Sequence, residues 1–219
     1  SGDSLDEIKI TPTPSFEQYM PTLVSGQLSE QGLLGLCPLP LIKSIIADSP
    51  NQGLLLAGDV VLRVGDVEYP RQGQLRTMLA AINTSDIKIQ VLRQGKHVDV
   101  LAKLSSGKLG VLLTDEWDFP IFSLLLKKVI VQGNTIDNVV SNTQILGGST
   151  LLAVNGASVE DWFGFRKSIL ASNDQVILSL QSPIADTAPV RVTLSMSPAT
   201  KQTIASLGWS TPLLPALFE

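Results

Sequence analysis

A chain of 219 residues can hold one large domain or two small ones, since domains commonly take ~100–150 residues. Its net charge of −4 gives no basic footprint, which argues against nucleic acid as the main partner. Only 16% of residues are charged and 5% aromatic beside 44% apolar, so the core has to be built mostly from Leu, Ile and Val.

Residues 1–30 read as an N-terminal extension, and the opening Ser1-Gly2 fits a cloning remnant. No signal peptide is present, so the chain is expected to be part of something larger. Cys37, the only cysteine, can form no internal disulfide and reads as a small buried hydrophobe. "LPLIKSII" (39–46) has strand character and "ADSPNQG" is polar turn chemistry. "GLLLAGDVVLRVGD" (53–66) follows, with a corner at Gly58-Asp59, a strand, and a second turn at Gly65-Asp66. Glycine at such a corner permits a positive φ where a Cβ would clash, and the Asp can cap neighbouring N–H groups. Leu75, Met78, Leu79 and Ile82 fall at i, i+3, i+4 and i+7, the stripe of a short amphipathic helix. Ile87, Ile89 and Val91 then alternate with Lys88 and Gln90, and Val98 and Val100 flank Asp99, with a tight turn at Gly95 between the two runs. His97, the only histidine, lies in this charged hairpin and is expected to be a solvated strand residue.

The same order then repeats. "KLGVLL" opens a second copy, "VIVQGNTIDNVV" supplies strand material, and "ILGGSTLLAVNG" places Gly148 and Val154 ninety positions after Gly58 and Val64. "EDWFGFRKSIL" is a helix in which Arg166 lies ninety after Arg76, and "VILSL" and "VRVTLSM" close the copy as a hairpin. The expected fold is mostly β with short helices (α+β), two partly open barrels in tandem. The first domain spans 31–105 and the second 106–198, meeting at Ser105-Ser106-Gly107, with a tail or linker over 199–219.

Corner, strand and Asn-Gly turn, preceded by a hydrophobic-Gly-hydrophobic loop at "LLGL" and "KLGV", resemble the PDZ domain in the arrangement found in bacterial membrane-associated proteases. The resemblance covers about residues 31–104 closely and 107–197 more loosely; the second copy departs at Ser149, where the family carries Asp, and in a long insertion before the corner. It implies a groove between a sheet edge and the helix, where an extended peptide adds as a strand. The peptide carboxylate would meet backbone N–H groups of a glycine loop. Carried over by position, the peptide-binding residues are Leu34, Gly35, Leu36, Gln74 and Met78 in the first domain, and Leu109, Gly110, Val111, Gly164 and Ser168 in the second. For Met78 simple core packing, and for Gly35 a plain turn, are alternative readings.

No chemistry-bearing cluster emerges. One His and one Cys cannot assemble a zinc site of the usual kind. His-Glu-x-x-His, Gly-x-Ser-x-Gly and a phosphate-cradling Gly loop are all missing from the sequence. The carboxylates of "DEWD" (115–118) read as a solvated loop face. The chain is therefore expected to be non-catalytic, without catalytic residue, metal ligand or cofactor of its own. The paired units, "LGV", and the run from Val154 to Phe165 with Trp162 resemble the site-2 protease family, zinc intramembrane metalloproteases. That resemblance implies a zinc-dependent parent with its active site outside this chain. It also implies a position on the extracytoplasmic (periplasmic) face of a bacterial membrane and a role in binding or filtering substrate. Expected partners are a C-terminal or extended peptide of a membrane or envelope protein and the membrane-embedded protease domain. The run "FPIFSLLLKKVIV" is broken by Lys127-Lys128, short of the ~20 residues a spanning helix needs, so the chain itself is expected to be soluble. Two alternatives stay open: the PDZ pair of an envelope serine protease-chaperone, and a stand-alone peptide-binding scaffold.

Overall fold

Alternating apolar residues become paired strands in the computed structural model, which describes residues 7–10, 33, 36–125, 128–131, 134–137, 145–196, 198, 201, 202 and 205. In chain order the elements are β1 (Glu7–Ile10), β2 (Pro40–Ile45), β3 (Val60–Val64), β4 (Val67–Glu68), α1 (Gln72–Ala81), β5 (Asp86–Arg93), β6 (Lys96–Lys103), β7 (Val111–Asp115), β8 (Lys128–Val131), β9 (Asn134–Asp137), β10 (Thr150–Val154), β11 (Ala157–Ser158), α2 (Trp162–Ala171), β12 (Gln175–Gln181) and β13 (Val190–Ser195). Among the described residues the protein is mostly β, with two short helices as complete elements. One sheet runs β6-β5-β3-β2-β7 with β4 on β3, a second runs β1-β13-β12-β10-β11, and β8 and β9 pair as a ribbon. Among the described residues neither sheet closes into a barrel.

Each sheet carries one helix on a Leu- or aromatic-rich face. In the first, Ile87, Ile89 and Val91 of β5 are buried and face Ala102, Val100 and Val98 of β6. The turn between them has positive φ at both Gln94 and Gly95, which suits the right-handed twist of a two-residue hairpin. Leu75 and Leu79 of α1 cover this face, and His97 is exposed on β6. In the second, Val176, Leu178 and Leu180 of β12 join Val192 and Leu194 of β13 beneath Trp162, Phe165 and Ile169 of α2. Trp162 meets Phe122, Phe165 and Trp117 edge-on at 5.5, 5.9 and 6.3 Å. Such pairs add ~0.5–1.5 kcal/mol each beyond the area they bury.

The repeated corner is built twice with the same hydrogen bonds. Ile42 donates to Asp59 and accepts from Gly58, both at 2.8 Å. Phe122 donates to Ser149 at 3.0 Å and accepts from Gly148 at 2.7 Å. The short segment Pro120–Ser123 is thus the second sheet's counterpart of β2. Asp59 caps Leu56 N–H at 2.9 Å and holds Arg93 through two 2.7 Å bonds. Ser149 Oγ caps Leu146 N–H at 3.3 Å. A buried carboxylate needs its cation, and the step from Leu92, opposite Val60, to Arg93 lands on Ser182 after Gln181, opposite Thr150. The loss of Asp accompanies the loss of its arginine.

What the sequence order does not convey is an exchange of edges. β7 pairs antiparallel with β2, Leu41 opposite Thr114, so "KLGVLL" completes the first sheet rather than opening the second body. Reciprocally, Pro38 bridges Phe122, and Ser123 N–H donates to Cys37 at 2.8 Å, which lays Leu36–Pro38 against the second body. Core membership agrees: Leu109 is buried with Ile42 and Leu75, whereas Leu33 and Leu36 are buried with Phe122 and Trp162. Residues 39–116 therefore form one body inserted into the chain of the other. This corrects the expected junction at Ser105-Ser106-Gly107. Ser105 and Lys108 exchange backbone bonds of 2.9 and 3.0 Å in a tight turn, and a Cβ on Gly107 would lie 2.9 Å from the Leu79 carbonyl. Likewise β1, inside the expected extension 1–30, joins the second sheet parallel to β13. The 199–219 tail lies outside the described residues except at 201, 202 and 205.

Candidate functional site: the outer edge of β7

Among the described residues β7 is the last strand of its sheet, with β2 on one side and α1 packed near it. Gly110 accepts from Ile46 at 3.0 Å and Glu116 donates to Leu39 at 2.8 Å, so even-numbered residues turn their main-chain groups to β2. By the alternation of an antiparallel ladder, Val111, Leu113 and Asp115 turn theirs to the outer edge. The side chains of Val111, Leu113 and Met78 pack, half-buried, on the first core. The edge is therefore flanked by apolar surface, and Gln72 Nε2 reaches across from α1 to the Leu113 carbonyl at 3.1 Å.

A polar clamp sets the loop before β7. Asn51 is fully buried; its Nδ2 donates to the carbonyls of Lys103 and Leu109, both at 2.8 Å, and its Oδ1 accepts from Lys103 N–H at 2.7 Å. Ser49 Oγ adds a 3.1 Å bond to the Leu109 carbonyl. With that carbonyl held inward, the chain turns through Gly110 at φ +67°, where a Cβ would fall 2.5 Å from Ser49 Oγ. Only glycine fits both the angle and the space.

The expected site residues regroup accordingly. Leu109, Gly110 and Val111, assigned to the second domain, stand with Met78 and α1 in the first body. Gln74 is on the same helix, but its Oε1 accepts from Arg71 N–H at 3.4 Å and serves the helix start. Leu36, assigned to the first domain, is buried in the second body's core; Leu34 and Gly35 lie outside the described residues. Gly164 donates to the N-cap Asp161 at 2.5 Å, and the Ser168 carbonyl accepts from Ser172 Oγ at 2.6 Å, so both take part in the ends of α2. The physical reason for the regrouping is that either glycine loop can supply an edge strand, and main-chain pairing selects the one that the chain path brings alongside.

The second body's edge is chemically different. Leu36 N–H donates to Leu33 at 3.0 Å and its carbonyl accepts from Leu33 at 2.7 Å, while Pro38 has no N–H to offer. The Leu36 N–H is thus taken and Pro38 has none to offer an added strand.

Elsewhere, Glu116 corrects the view of "DEWD" as a solvated face. It is 4% exposed, its Oε1 accepts from Asp118 N–H at 2.7 Å, and burial pushes its carboxyl pKa up against the lowering effect of those backbone bonds. Sequence inspection missed Asn51, Ser49, Gln72 and Glu116. Each acts on a main-chain group, three of them far away in sequence, and no spacing rule signals that.

Among the described residues no group of three or more His, Cys, Asp or Glu side chains could hold a metal ion, and no helix is long and apolar enough to cross a membrane. No protein-family model matches the chain, and comparison with curated proteins returns no match.

Proposed function

We propose that this chain is a non-catalytic, PDZ-like substrate-binding region of a membrane-associated zinc metalloprotease of the site-2 type, facing the extracytoplasmic side. In this reading the first body receives an extended peptide as an extra strand on β7. The observation that carries it is the outer edge at Val111 and Leu113 beside α1, opened by the Gly110 turn. The odd-numbered main-chain groups provide ladder hydrogen bonds, and Met78, Val111 and Leu113 provide apolar contact for a side chain. The N–H groups near Gly110 receive the peptide carboxylate. A micromolar affinity, about −8 kcal/mol, is within reach of a few main-chain bonds and one buried side chain.

Titration of ¹⁵N-labelled protein with peptides bearing an apolar C-terminal residue tests this reading. Shifts gathered on 109–115 and Met78 support it. Shifts gathered on Leu36 and Ser168 would move the site to the second body. No shifts at any residue would leave a steric filter in place of a receptor. Translation of the flanking reading frame tests the parent: a His-Glu-x-x-His helix upstream supports the metalloprotease, and a trypsin-like domain supports a serine protease-chaperone.

A further inference from the structure

We propose that the Gln72 carboxamide is a latch on the β7 edge, standing in for an incoming main-chain N–H and deciding which peptides can add. The inference rests on the reading of β7 as a peptide-receiving edge. Gln72 is the first residue of α1 and half-buried, and its Nε2 donates to the Leu113 carbonyl at 3.1 Å. That carbonyl lies at the middle of the outer edge, where the central residue of an added strand would place its own N–H. Bare edges invite unwanted pairing and are usually guarded by charge, proline or a covering element. β6, the opposite edge of the same sheet, carries Lys96, Asp99 and Lys103. β7, with sequence Val-Leu-Leu-Thr-Asp, has neither lysine nor proline. The one charge on β7 is at its end, Asp115, and Gln72 guards the middle.

At the matching helix position the second body bonds the residue before its β2 counterpart and leaves its own outer edge without such a latch among the described residues. Ninety residues after Gln72 stands Trp162, also the first residue of its helix. Its Nε1 donates to the Phe119 carbonyl at 3.1 Å, but the ring is fully buried in the core. A half-buried amide can swing away; a core indole cannot. A ligand must therefore bring a main-chain N–H opposite Leu113 to replace the amide, which rejects peptides with proline at that residue. A peptide too short to pass Val111 leaves the latch closed.

Gln72→Met keeps the side-chain length and removes the donor. Fluorescence polarisation with a fluorescein-labelled hexapeptide ending Thr-Val-Leu and a free carboxylate should show Kd lowered roughly two- to tenfold, the scale of one net hydrogen bond. In wild-type protein the Gln72 side-chain NH₂ resonances should move during the titration. Gln72→Ala repeats the comparison should methionine disturb the helix start. Equal or weaker binding by both variants, or Gln72 resonances that hold still while Leu113 N–H shifts, would overturn the latch alone. An absence of binding to all three proteins overturns the β7 reading and the latch with it.

Discussion

Asn51 Nδ2 donates to the Leu109 carbonyl at 2.8 Å across 58 residues of chain, and this bond holds the glycine turn against the body whose edge it opens. Asn51→Ala would leave the Lys103 N–H and carbonyl without their side-chain partner and the Leu109 carbonyl with Ser49 Oγ alone. Unsatisfied buried groups cost ~1–3 kcal/mol each, so a loss of about 2–4 kcal/mol is expected in urea denaturation. Peptide affinity should fall as well, because the loop is no longer set. A loss below about 0.5 kcal/mol would mean that water replaces the clamp.

Gly110 is the most substitution-sensitive glycine at the site. Gly110→Val combines a left-handed backbone angle with a Cβ 2.9 Å from Ser49 Cβ. Thermal denaturation should show destabilisation of about 1–3 kcal/mol, the cost of a strained φ with overpacking. Peptide binding should disappear. Ser49→Ala should not rescue the variant, since the Ser49 Cβ remains; recovery in the double variant would place the strain elsewhere.

The exchange of edges sets where the chain can be cut. A fragment of residues 39–116 contains β2 to β7 and the whole first core, and should fold by itself with dispersed amide resonances. A fragment of 31–105 lacks β7 and Leu109, and one of 106–198 lacks Leu33 and Leu36. Both should be poorly dispersed and bind a hydrophobic dye. A well-folded 31–105 fragment would show that β7 is dispensable.

The two bodies meet where Tyr69 lies over Gly148. A Cβ on Gly148 would fall 2.3 Å from the ring, and Leu124 N–H donates to the Tyr69 carbonyl at 2.6 Å. Gly148→Ala should cost about 1–3 kcal/mol, partly from φ +84° and partly from displacing the ring. Adding Tyr69→Ala should return the steric part only. In a urea melt, additive losses in the double variant would show that the ring and Gly148 do not interact.

Glu116 should give an inverted pH signature. Its folded pKa is raised, chiefly by burial, so the native protein holds this proton to higher pH than the unfolded chain does. Its contribution therefore weakens as pH rises from the ordinary Glu range through the raised value. Glu116→Gln stays neutral while its carbonyl can still accept from Asp118 N–H. Measured by urea melts from pH 4 to 7, the variant should gain on wild type as pH rises. Wild type gaining on the variant would mean the backbone bonds outweigh burial. Asp86 behaves in the usual sense: its pKa is lowered, first by the hydrogen bond from Lys103, so its contribution is lost as pH falls.

Much of the protein follows from its sequence because much of it is local. The period-two alternation of Ile87, Ile89 and Val91 and the stripe of Leu75 and Leu79 fix their elements wherever those elements dock. The corner at Gly58 needs glycine for a local reason, its positive φ, whereas Gly148 has a positive φ and also the Tyr69 ring against it. The repeat signals two similar bodies. Which edge completes which body is another matter. Leu34-Gly35-Leu36 and Leu109-Gly110-Val111 carry nearly the same pattern, and each precedes strand material, so chain order assigns each to the body that follows it. The ladder between β2 and β7 is made of main-chain groups, which every residue except proline carries in full, and its register spans some seventy residues. Only the folded chain selects that partner. The candidate edge moved with it: the Leu36 main-chain groups are bonded to Leu33 and Pro38 has no N–H, whereas Val111 and Leu113 turn theirs outward, because backbone hydrogen bonds are satisfied in three dimensions and leave no mark in the order of side chains.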